Sequence, residues 1–271
     1  MKFSKKATFV VAAVGLVAAL AYAQGSATLR LKPAVGSKFQ YKVTMNTTGG
    51  MGGGGAASAM NGTYNQWYII KSKSAKGTVI ETKITNAKMS GGGMDGNAMA
   101  EAMQKQVITA TYSPLGAYVS GDVNMGSMGA MSAQAGVQGV IFPQTAVKVG
   151  STWKATVDIS KLMGAAGGAN GPKVVSGGKI PVTYKLTGFK TIAGKQIAGI
   201  AATMNGNVVM SMGQAAQGAQ GQMKLGIKST SSGQVDVGTG MVRTMTTDAT
   251  VNMNFGQMSM NQKVKMTVTL L

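Results

Sequence analysis

From Lys38 to the C-terminus, apolar and polar residues alternate with period two, and this restricts the chain to strands with one buried and one wet face. In the first such run Phe39, Tyr41, Val43 and Met45 share one face, while Lys38, Gln40, Lys42 and Thr44 share the other. Residues 64–70 and 78–84 predict the next pair, joined by a polar stretch at 71–77. Residues 107–112 and 117–119 flank Ser113-Pro114-Leu115-Gly116, whose proline and glycine suit a tight turn. The pattern resumes at 153–159, 180–189, 197–204, 223–228, 234–237, 241–255 and 258–271. Ala193-Gly194-Lys195 predicts a turn, and Asn205-Gly206 is the strongest hairpin signal, because both residues tolerate positive φ. Gly233 and Gly238-Thr239-Gly240 predict further breaks. The expected fold is mainly β: a curved antiparallel sheet or half-barrel of about eleven or twelve strands, with one or two short helical inserts.

Between these runs lie Gly/Met/Ala/Gln-rich inserts at 49–60, 90–97, 125–139, 164–178 and 213–221, whose side chains bury too little to offset backbone ordering. Two inserts have helical spacing. Asn97 is placed to cap a helix along which Met99, Met103 and Val107 recur every fourth residue. Met125, Met128 and Met131 mark the second, which Gly126 and Gly129 interrupt.

The N-terminus has the form of a secretory signal. Lys2, Lys5 and Lys6 precede an apolar run at 7–20, and Ala21-Tyr22-Ala23 is a small-x-small cleavage site. The run is shorter than the roughly 20 residues of a membrane-spanning helix. The expected organisation is a signal peptide at 1–23 and a single β-rich domain at 24–271, or two similar halves at 24–140 and 141–271. The expected location is periplasmic or secreted. With no cysteine, such a domain relies on a continuous apolar face rather than disulfides.

Three of the 26 Lys and Arg precede residue 24, so 23 remain against seven acids, a net charge of +16. That field favours an anionic envelope surface as partner. Arg30 and Arg243 are the only arginines, and few aromatics survive cleavage, so bidentate phosphate grip and base stacking are both poorly served. Nucleic acid is a disfavoured partner.

The chain has no histidine and no cysteine, which removes Ser-His and Cys-His nucleophiles. Its acids are scattered, and the nearest pair, Asp95 and Glu101, falls in an insert. The expectation is a non-catalytic protein without a cofactor. Methionine is the anomaly at 22 residues. Met125, Met128 and Met131 have the spacing of a thioether Cu(I) site, a minor alternative given the absence of stronger ligands. More simply, flexible methionines suit an adaptable apolar surface. The leading expectation is binding of an apolar or amphipathic ligand of lipid type, with Phe39, Tyr41, Tyr184, Met99 and Met103 lining or covering the apolar face. The competing expectation is a structural or adhesive envelope protein without a small-molecule site.

The segment Phe142-Pro143-Gln144-Thr145-Ala146-Val147-Lys148-Val149-Gly150-Ser151-Thr152-Trp153 resembles the mid-chain signature of an exported bacterial family of unknown function, with Ser151 in place of the family's usual acid. The start Gly36-Ser37-Lys38-Phe39-Gln40-Tyr41 and the glycine-bounded stretch from Ser232 to Val242 fit the same resemblance. Its motifs are turns and imply no active site. In architecture the chain is similar to lipoprotein-localisation factors, which implies a curved sheet wrapped around an apolar cavity under a helical lid.

Overall fold

The computed structural model describes residues 25–51, 58–91, 95–122, 139–162, 173–211, 222–256 and 258–271. Residues 1–23, expected to be a signal peptide, and Met125, Met128 and Met131 lie outside the described residues. The strands in chain order are β1 (Ser26–Ala27), β2 (Lys38–Met51), β3 (Ser58–Ser74), β4 (Gly77–Gly91), β5 (Val107–Tyr112), β6 (Tyr118–Asp122) and β7 (Val147–Lys148). They continue as β8 (Thr152–Asp158), β9 (Lys173–Ser176), β10 (Lys179–Ile192), β11 (Lys195–Ser211), β12 (Gln222–Asp236), β13 (Val242–Phe255) and β14 (Met258–Leu270). One helix, α1 (Gly96–Gln104), lies between β4 and β5, and a single helical turn occupies 159–162.

Twelve strands form one antiparallel sheet in the order β6-β5-β4-β3-β2-β14-β13-β12-β11-β10-β8, with β9 added beside the end of β11. The first and last long strands are neighbours: Val43 faces Val268, and Met45 faces Met266. The two halves of the chain therefore join through β2 and β14 at the middle of one sheet. Its free edges, β6 and β8, belong to the middle of the chain, and the sheet is not closed.

Alternation builds this sheet as expected. Tyr41 and Val43 of β2 are buried, as are Tyr64, Tyr68 and Ile70 of β3, while Lys42 between the first two is exposed. The inner face curls around two stretches of coil. Residues 25–37 contribute the buried Leu29 and Leu31, and residues 139–151 contribute Val140, Phe142 and Val147. The short β1–β7 ladder ties the two stretches together. Arg30 reinforces them, since its guanidinium donates to the carbonyls of Leu29, Pro143 and Gln144.

Three local expectations are corrected. Asn205-Gly206 makes no hairpin and lies inside the 17-residue β11, where Gly206 faces Ile227. The absent side chain serves packing there, because a Cβ would come within 2.7 Å of Ile180 Cγ2. The β10–β11 turn is at Ala193-Gly194, where the sequence places it, with both residues at positive φ. Likewise Gly233 does not interrupt β12, which runs unbroken through Ser229–Gly233 and pairs with β13 along that stretch. Finally, α1 is capped by Asp95, whose carboxylate accepts from the backbone N–H of Asn97 at 2.9 Å and of Ala98 at 3.2 Å. Asn97 sits inside the helix, and Val107 begins β5.

Candidate functional site

The sheet's two free edges approach a common space, and residues 139–142 bridge between them. The backbone N–H of Phe142 donates to the Leu115 carbonyl in the β5–β6 turn at 2.7 Å. From the other side, Trp153 Nε1 on β8 donates to the Ile141 carbonyl at 2.7 Å. Trp153 also stacks on Tyr184, with ring centroids 5.4 Å apart and planes 15° apart. The sequence signature 142–153 thus encodes the seam that stands in for the missing strand pairing.

Beneath this bridge lies a cavity of about 450 Å³. Tyr118 of β6 and Val157 of β8 line its two edge sides, Val140 and Ile141 its roof, and Val182, Tyr184, Met204 and Ile227 its inner wall. Lys161 and Lys179 also line it, and both are exposed at its rim. The lining is mainly apolar because it is the unfilled continuation of the sheet's inner face.

One strip of that face is polar. Ser229 and Ser231 of β12 and Thr247 of β13 line the cavity on the inward side of the two strands. Ser231 and Thr247 are directly opposite and share a 2.9 Å hydroxyl–hydroxyl hydrogen bond. Ser229 is 8% exposed. Sequence reasoning missed this strip because a serine-rich run suggests a connection between strands. The signal that could have found it is parity: Leu225, Ile227, Ser229 and Ser231 share one face.

Of the residues singled out from sequence, Tyr184 lines the cavity. Tyr41 does not; it is sealed in the core, donates its hydroxyl to the Val242 carbonyl at 2.8 Å, and packs edge-on against Tyr68. Phe39 packs at the border of that core. Met99 and Met103 are on α1, which lies against β4 rather than over the cavity, with Met103 touching the core. The Asp95 and Glu101 carboxylates are separately engaged, the first as helix cap and the second with Lys105 Nζ at 2.7 Å. Methionines do meet on the inner face, where Met210 is opposite Met223 and Met253 opposite Met260.

Burial, rather than charge pairing, dominates the titration behaviour of the interior. It raises the phenols of Tyr64 and Tyr184 to about 12, and it pushes those of Tyr41, Tyr68 and Tyr112 well above the ordinary value too. Unfolded phenols ionise near ~10, so the stability linked to these neutral groups is complete below that pH and is lost as pH rises through the folded values. The thermal midpoint should therefore fall steeply above about pH 10, with tyrosinate absorbance and loss of strand circular dichroism rising together. Full tyrosine ionisation in a protein that keeps its native far-ultraviolet spectrum would contradict this account of the core.

The outward face has the opposite character. Exposed Lys228 of β12 and Lys263 and Lys265 of β14 stand on either side of β13, whose Asp248 is directly opposite Lys265. Among the described residues no helix is long and apolar enough to cross a membrane.

No protein-family model matches the chain, and no curated protein matches it significantly. Several solved structures overlap it loosely, two of them as follows. One is DynF from the dynemicin biosynthesis pathway of Micromonospora chersina, at 9% identity over 89% of this chain and 85% of that one, with a TM-score of 0.22. The other is an outer membrane channel from Pseudomonas putida F1, at 11% identity over 89% of this chain and 97% of that one, with a TM-score of 0.30. Superpositions this loose assign neither fold nor function. What distinguishes the chain is its own geometry, an open twelve-stranded antiparallel sheet whose free edges share an apolar cavity with a hydroxyl-bearing floor.

Proposed function

We propose that this is a non-catalytic exported protein that holds an apolar or amphipathic ligand of lipid type in the seam cavity, close to an anionic envelope surface. The cavity carries the reading. Its volume of about 450 Å³ is in the range of small-molecule pockets, about 300–1,000 Å³. Val140, Val157, Val182, Met204 and Ile227 in its lining offer an apolar chain dispersion contacts that water does not. Met204 in the wall suits varied chains, because an unbranched thioether repacks easily. The lysines on the outer face support attraction to anionic lipid, and they also argue against strands that face hydrocarbon, where a lysine costs about 2–4 kcal/mol at mid-bilayer.

Native mass spectrometry of the gently purified full chain tests the proposal. The expected result is an amphiphile bound in the wild type and absent from Ala202→Phe, which places a ring in the cavity from its β11 wall. Retention of the same load by a folded Ala202→Phe protein would move the site elsewhere. In flotation assays the protein should follow phosphatidylglycerol vesicles and ignore phosphatidylcholine ones, with release as ionic strength shortens the screening length from about 10 Å at 0.1 M. Equal binding to both vesicle types at all salt concentrations would remove the anionic surface from the proposal.

A further inference from the structure

The hydroxyl strip on the cavity floor bears on which amphiphile fits. Ser229 lies between Ile227 and Ser231 on the inward side of β12, more than nine-tenths buried, and its hydroxyl has no hydrogen-bond partner among the described residues. Ser231 and Thr247 use one hydrogen bond on each other, which leaves each with capacity for a second. A buried hydroxyl without a partner is unfavourable, and an arriving polar atom that bonds to it recovers that loss. The charged residues of the lining, Asp158, Lys161 and Lys179, lie on the β8 and β10 side, where both lysines are exposed, and the floor carries hydroxyls alone, so nothing on the floor compensates a full charge.

We infer that the ligand binds with an uncharged hydrogen-bonding head, a hydroxyl or carbonyl as in a fatty alcohol or monoacylglycerol, seated on Ser229, Ser231 and Thr247. Its hydrocarbon chain then runs beneath the bridge, along Val140, Ile141 and Val157 toward the sheet's edges. This inference rests on the ligand-binding reading of the same cavity and goes further by selecting head chemistry and orientation.

The test is displacement of the neutral fluorophore phenylnaphthylamine from the full-length protein by dodecanol, dodecane and dodecanoate. Dodecanol should displace it at the lowest concentration, and Ser229→Ala and Thr247→Val should each weaken dodecanol roughly three- to tenfold while leaving dodecane unchanged. Ser229→Ala should not lower the thermal midpoint of the ligand-free protein, because the hydroxyl it removes supports no contact; a merely structural serine would lower it. Equal displacement by all three compounds, or dodecanoate as the strongest, would overturn the neutral-head assignment while leaving the cavity as an apolar site. Dodecanol affinity unaltered in both variants would overturn it as well. Failure of the fluorophore and all three compounds to bind would reject the assignment together with the ligand-binding proposal beneath it.

Discussion

Replacing Tyr68 with alanine is expected to cost about 3–5 kcal/mol of folding stability, the range for deleting a large buried ring that its surroundings cannot refill. Tyr68 is completely buried on β3, and the Tyr41 ring meets it edge-on at 5.1 Å between centroids. Tyr41 is in turn tied to β13 through its bond to the Val242 carbonyl, so the void would open where the two halves of the chain share one core. Tyr68→Phe keeps the ring and loses only hydroxyl contacts, among them the one with Gln66, and should cost about 1 kcal/mol. Urea titration followed by circular dichroism measures both. A loss below about 1 kcal/mol for Tyr68→Ala would mean that the tyrosine cluster is not where the halves are held together.

Gly240→Ala is expected to release the N-terminal coil from the sheet. Gly240 has φ +73°, and a Cβ there would overlap the Arg30 carbonyl and crowd the Leu31 backbone, neither of which can rotate away. Relief requires residues 29–32 to lift. That exposes Leu29 and Leu31, each worth about 1.5–3 kcal/mol of burial. It also breaks the bonds from Leu31 N–H to the Pro114 carbonyl and from Lys32 N–H to the Thr239 carbonyl, both 2.8 Å. Stability should fall by about 3 kcal/mol or more, and amide exchange in residues 25–37 should accelerate ahead of the rest of the sheet. Unchanged protection across 25–37 would show that the coil tolerates a side chain at this position.

Strand identity was legible in the sequence wherever inward positions carry apolar side chains. The alternation of Tyr41 with Val43 and of Met266 with Val268 reappears as buried residues on facing strands. It was illegible where inward positions are small or polar. Ser229–Gly233 contains no apolar residue, so periodicity has nothing to register, yet the backbone continues because β11 and β13 supply partners on both sides. Asn205-Gly206 misled for a related reason. Local turn propensity is worth little against the unbroken pairing of β11 with β12 through this stretch, and the glycine is accounted for by Ile180 pressing on it from β10. The candidate site was legible only at Tyr184; Phe39 and Tyr41 had the correct facing but lie in the part of the inner face that coil fills.

Taken alone, the order of residues determined that this chain builds amphipathic antiparallel ribbons with ammonium groups outward, because period-two patterning and turn chemistry act over a few neighbouring residues. Tertiary structure alone decided that the first and last long strands pair, that the open seam falls in mid-chain, and which stretch of the inner face is filled by residues 25–37 and 139–151 and which is left as a cavity. Those outcomes depend on contacts between segments more than a hundred residues apart, such as Arg30 with Pro143 and Tyr41 with Val242, whose geometry no local pattern carries.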